Sequence, residues 1–145
     1  MARNFFSKED QQRIMHSIRE AEKNTSGEIQ VHLENTCKKP VLQRAAELFD
    51  SLHIYKTAER NGVLIYLAVE EKKFAIIGDV GINQKVPPGF WDEIKAQMET
   101  LFRQGKFTDG LCDGIRMSGE QLGKHFPFTK DDTNELPDEL SFGNN

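Results

Sequence analysis

The run Val63-Leu64-Ile65-Tyr66-Leu67-Ala68-Val69, followed by Glu70-Glu71-Lys72-Lys73 and then Phe74-Ala75-Ile76-Ile77, decides the fold class. Its first part has the length of a strand and carries no charge, and Asn61-Gly62 punctuates its start, which predicts a central strand buried on both faces. A short charged turn then leads into a second apolar run, so the two pair most simply as an antiparallel hairpin. A sheet buried on both faces needs helices above and below it.

The flanking sequence supplies those helices. Ser7 is placed to cap a helix over about residues 8 to 23, with acidic residues in the first turn and Ile14, Ile18 and Ala21 at helical spacing. Glu28-Ile29-Gln30-Val31-His32-Leu33-Glu34 alternates polar and apolar, the pattern of a strand with one wet face or at a sheet edge. Pro40 opens a second helix to about residue 53. Pro87-Pro88 sets up a third, in which Phe90, Trp91, Ile94, Met98, Leu101 and Phe102 form one apolar stripe. A fourth follows Gln104-Gly105, with Gly110, Gly114, Gly119 and Gly123 allowing close backbone approach. The expected architecture is α/β, a three-layer αβα sandwich on a small mixed sheet of about four strands, the fourth strand lying within residues 54 to 60 or 83 to 87. Residues 1–127 form the domain, and residues 128–145 read as an acidic, mobile tail.

At 145 residues the chain suits a single domain, which at this length buries about 70% of its unfolded surface. Its net charge of −4 is local: Asp131, Asp132, Glu135, Asp138 and Glu139 account for five of the 23 acidic residues, leaving 18 against 19 Lys and Arg elsewhere. No basic stripe of the kind that phosphate backbones demand is present, which argues against nucleic acid. The N-terminus lacks the apolar core of a secretory signal, and no run approaches the roughly 18 apolar residues of a membrane span. The chain reads as a cytoplasmic monomer without direct membrane insertion. Cys37 and Cys112 are not in CxxC spacing, so reduced thiols are expected.

The candidate chemistry begins in Ile76-Ile77-Gly78-Asp79-Val80-Gly81-Ile82-Asn83, where a strand ends in one aspartate between glycines. Ligands of open α/β sheets gather at such ends, and Asp79 with Asn83 and nearby carbonyls would offer a hard cation the oxygen it requires. The alternative is an Asx-turn, with Asp79 bonding local amides. Asp109 and Asp113 form a second acidic group, Asp109 as an N-cap and Asp113 one turn on. EF-hand, HExxH, GxSxG and phosphate-loop patterns are all missing. His16, His32, His53 and His125 are scattered, and Arg44, Arg60, Arg103 and Arg116 are either phosphate clamps or ordinary ion-paired arginines.

Thr25-Ser26-Gly27-Glu28-Ile29, Arg60-Asn61-Gly62 through Ala68, Ile77-Gly78-Asp79-Val80-Gly81-Ile82, and Phe102-Arg103-Gln104-Gly105-Lys106-Phe107-Thr108-Asp109-Gly110-Leu111 with Gly114-Ile115 occur in family order across residues 8 to 126. Together they resemble the TPM domain, the family of the thylakoid lumen acid phosphatase and the photosystem repair factor. The resemblance implies an αβα sandwich that binds divalent cations, calcium above all or another such as magnesium, in loops at one end of the sheet. Carried over residue by residue, it points to Asp79, Asp109 and Asp113, the positions already singled out. Many members add a secretion signal and a membrane helix or glycine-rich tail, so this chain reads as a stand-alone domain. The expected function is a cation-binding module whose two acidic loops meet around the metal and present a surface to a protein partner. The alternatives are a metal-assisted phosphomonoesterase with Asp79 or Asp109 as base or nucleophile, and an adaptor for a membrane-protein partner.

Overall fold

Ser7 begins the first helix as expected, its Oγ accepting the backbone N–H of Asp10 at 3.0 Å. The computed structural model describes residues 5–129, 136 and 140–143. In chain order the elements are α1 (Lys8–Glu22), β1 (Glu28–Glu34), α2 (Val41–Ser51), β2 (Gly62–Ala68), β3 (Lys73–Gly78), the single turn α3 (Val80–Asn83), α4 (Asp92–Arg103), α5 (Phe107–Leu122) and β4 (Ser141–Phe142).

The sheet has the order β3-β2-β1-β4. β2 and β3 form the antiparallel hairpin, with Val63 opposite Gly78 and Ala68 opposite Lys73, while β1 runs parallel to β2, with Glu28 opposite Gly62. Strand alternation then sorts the side chains into two cores. Ile29, Val31, Leu33, Val63, Ile65 and Leu67 pack with Ile14, Ile18, Met98, Phe102, Leu111 and Ile115 of α1, α4 and α5. Leu64, Tyr66 and Ala68 point the other way, onto Ala45 and Leu48 of α2. The result is the expected αβα sandwich, with three long helices on one face and one on the other.

Several expectations need correction. β1 has neither a wet face nor an edge position, because it lies between β2 and β4 and all seven of its residues are buried. The fourth strand comes neither from residues 54 to 60, which form turns, nor from 83 to 87, which end α3, but from Ser141–Phe142 in the segment expected to be a tail. Leu136 is buried there as well, while the remaining tail positions 130–135, 137–139 and 144–145 lie outside the described residues. α4 starts at Asp92 rather than at the prolines, because Gly89 takes a left-handed φ of 78° that interrupts the helical path.

α5 is the most closely packed helix, and its small residues are the reason. A Cβ at Gly119 would stand 2.7 Å from the Cβ of Ala21 and 3.0 Å from the Ala21 carbonyl oxygen, so the α1 backbone itself fills the space a side chain would need. Gly119→Ala is therefore expected to lower stability by about 1–3 kcal/mol through overpacking. A urea midpoint unchanged from wild type would contradict this packing.

Candidate functional site

Asp79 follows directly from β3, and its backbone N–H donates to the Gly62 oxygen at 3.0 Å, which puts it beside the start of β2. Its carboxylate caps α3 by accepting the Val80 N–H at 2.7 Å, so the Asx-type local bond is real. Its principal partner is Arg60, whose Nε and Nη2 donate to Oδ2 and Oδ1 at 2.7 and 2.8 Å, a bidentate fork. Asp79 is 4% exposed, whereas the Arg60 side chain is 48% exposed. Arg60 reaches this position with a φ of 51°, unusual for a residue with a side chain. The Arg60 oxygen accepts the Gly81 N–H at 3.0 Å, and a Cβ at Gly81 would overlap the Glu59 carbonyl oxygen, so the glycine is what lets the two loops touch.

Oxygen donors crowd this end of the sheet. Ser26 donates to the Glu59 carboxylate at 3.1 Å and accepts Asn61 Nδ2 at 3.3 Å, and the Asn61 oxygen takes the Glu28 N–H at 3.3 Å. Asn83 turns its Nδ2 to the Gly78 oxygen at 3.2 Å and borders a cleft of about 560 Å³ shared with Phe90, Trp91 and Lys95.

The second acidic group is elsewhere. Asp109, 52% exposed, accepts from Arg13 Nη2 of α1 at 2.9 Å, and Asp113 accepts from Gln97 Nε2 of α4 at 3.1 Å. Asp109 is the third residue of α5 rather than its N-cap, a position held by Lys106. The neighbouring Phe107 stacks on Phe102, which meets Phe74 edge-on, and Phe74 pairs with Leu67 near the far end of β2. From Gly62 to Leu67 is five strand steps, roughly 16 Å at the usual rise. The structure therefore does not bring Asp79 and Asp109 together. Among the described residues no group of three or more His, Cys, Asp or Glu side chains is arranged to hold a metal ion. The four arginines singled out in the sequence are all ion-paired: Arg44 with Glu34 and Glu47, Arg60 with Asp79, Arg103 with Glu99, and Arg116 with Glu120. Cys37 and Cys112 are free thiols, and burial pushes the Cys112 thiol up.

A second polar constellation escaped the sequence reading. Glu34, the last residue of β1 and 0% exposed, accepts Arg44 Nε at 3.1 Å and Nη2 at 2.5 Å, the Tyr66 hydroxyl at 2.6 Å, and His32 Nε2 at 3.1 Å. Burial pushes the Glu34 carboxyl up, but the bonds from Arg44, Tyr66 and His32 outweigh it and hold the group at about 2. Burial lowers His32 and raises Tyr66, so both stay neutral, while the carboxylate raises Arg44. An ionised carboxylate only accepts, so His32 donates through Nε2, and its Nδ1 is left to accept from Ser141. The signal for this cluster was the alternation of β1 itself: four polar residues on one face of a strand that turned out to be interior.

The stability that ionised Glu34 contributes is complete above the ordinary carboxylate value of 4.5 and is lost as the pH falls from there toward about 2. Glu34→Gln is therefore expected to flatten the acid limb of the stability curve in that window, read by urea unfolding at stepped pH. An acid limb with the wild-type slope would show that Glu34 is not the buried anion.

A family model described as the TPM domain matches residues 2–121. A search of the curated proteins finds no match. The chain is 49% identical to the BA42 protein from the psychrophilic bacterium Bizionia argentinensis, whose solution structure it matches with a TM-score of 0.91 over 96% of each chain. The N-terminal domain of the cg2496 protein from Corynebacterium glutamicum shares the fold at 13% identity, with a TM-score of 0.58 over 97% of this chain and 82% of that one. With the family model spanning most of the sequence and a relative of nearly the same length superposing throughout, the chain belongs to the TPM domain family.

Proposed function

We propose that the chain is a divalent-cation-binding module, calcium or magnesium, whose site is the Asp79 end of the sheet alone. The observation that carries this reading is the pairing of a buried carboxylate with an exposed arginine. Asp79 is held in place by its backbone and by the cap it forms on α3, while Arg60 approaches from solvent, so the positive partner is the replaceable half. Asp79, Glu59, Ser26, Asn61 and the carbonyls of residues 59 and 60 offer oxygen of the kind hard cations take, from loops rather than rigid elements. Two carboxylates with neutral oxygens make a weak site, and Arg60 competes for one of them. Asp109 and Asp113 belong to a separate surface, each with its own partner.

Cation binding in this reading exchanges one positive partner of Asp79 for another and frees the Arg60 side chain. The loops at residues 57–61 and 79–83 adjust, and with them the cleft beside Asn83, Phe90 and Trp91, where a protein partner would sense the change. The phosphomonoesterase alternative needs a carboxylate with a lone pair free to face a phosphoryl group. It also needs a cationic cradle for that group, and Arg44, Arg60, Arg103 and Arg116 are each paired with a carboxylate, so no observation favours it.

Calorimetric titration with calcium is expected to show saturable binding that Asp79→Asn abolishes with the fold retained by circular dichroism. Arg60→Gln is expected to tighten binding roughly tenfold, the factor that follows if the ion pair is formed nine-tenths of the time. Binding that survives Asp79→Asn undiminished would remove the proposal.

A further inference from the structure

The polar face of β1 is covered by the chain's own C-terminal residues, and the contacts are selective. Glu28 Oε1 accepts the backbone N–H of Leu136 at 2.6 Å. Ser141 and Phe142 pair in parallel with His32 and Leu33, and the Gly143 N–H donates to the Leu33 oxygen at 2.9 Å. The Ser141 hydroxyl meets His32 Nδ1, and a Cβ at Gly143 would overlap the Glu34 carboxylate. Three of the four polar side chains thus read different features of the covering segment: Glu28 a backbone donor, His32 a hydroxyl, and Glu34 the absence of a side chain. Because neutral His32 donates its one ring N–H, on Nε2, to Glu34, Nδ1 can only accept, and a hydroxyl donor is what satisfies it. Phe142 adds an apolar contact with the larger core.

The attachment is short. Among the described residues the β1–β4 ladder pairs two residues, against seven along β1 and β2, and side-chain recognition adds to these backbone bonds. Added strands of this kind draw affinity from the backbone and specificity from alternate side-chain sites.

We propose that the outer edge of β1 is a docking groove for an extended peptide carrying a serine or threonine, an apolar residue and a glycine in succession. The chain's own Ser141-Phe142-Gly143 fills this groove in cis, and a partner protein bearing the same pattern displaces it by strand addition. Cis occupancy lowers the apparent affinity for such a partner by the fraction of molecules in which the groove is closed.

The test uses the full chain with Gly143→Val, whose side chain cannot coexist with Glu34 at the groove. With helical circular dichroism retained, this variant is expected to bind a fluorescein-labelled peptide of residues 136–145 at least about tenfold more tightly than wild type. The same peptide carrying Ser141→Ala and Gly143→Val is expected to lose that binding. Equal affinity of the two proteins, or indifference to the peptide changes, overturns the proposal. Should Gly143→Val fail to fold, the wild-type chain serves: about millimolar unlabelled peptide is expected to move the Gly143 amide resonance to its free-peptide position, and an unmoved resonance overturns the proposal.

Discussion

A carboxylate taken out of water must be met by positive charge and hydrogen-bond donors, and Glu34 and Asp79, at opposite ends of this sheet, are each met by an arginine. Glu34 closes β1 beside Ala68 and is met by Arg44. Asp79 follows β3 beside Gly62 and is met by Arg60. The two solutions differ in a way that assigns them different work. Glu34 sits in a ring of four donors from β1, β2 and α2, with Arg44 itself only partly exposed, so its charge is locked into the architecture. Asp79 is met by Arg60, half in solvent and on a turn with left-handed backbone, the partner we propose a cation replaces.

The Glu34 constraint shapes the larger fold. A strand with four polar residues on one face is costly in the middle of a sheet unless those residues have partners. α2 supplies Arg44, β2 supplies Tyr66, and the C-terminal segment supplies Ser141 and the Leu136 N–H. On the opposite face β1 and β2 are wholly apolar, and α1, α4 and α5 close over them. The glycines of α5 bring that helix close to its neighbours, with Gly110 facing the Phe102 ring and Gly119 facing Ala21.

Much of this was legible from periodicity. The β2–β3 hairpin, the two cores and the course of α1, α2 and α5 follow from apolar spacing and cap residues, which are local signals. What escaped was non-local. The alternation of β1 states which residues share a face but not what covers it, and the cover lies more than a hundred residues away in an acidic segment with little strand pattern. Asp79 was legible as the end of a strand and as a local cap. Its pairing with Arg60 was not, because the fork depends on the turn that carries Arg60 being folded back against Gly81. Asp109 and Asp113 share a helical face as their spacing implies, yet α5 runs antiparallel to β2 and carries them to the far end of the sheet, a direction that spacing does not encode.

The functional claim we propose is that a metal ion and Arg60 compete for the same buried carboxylate, Asp79. The most direct measurement is the Arg60 Nε–Hε resonance followed by NMR through a calcium titration. The account predicts that this resonance leaves its ion-paired position and begins to exchange with solvent as the metal saturates. An Arg60 resonance that stays in place while calcium binds would contradict it.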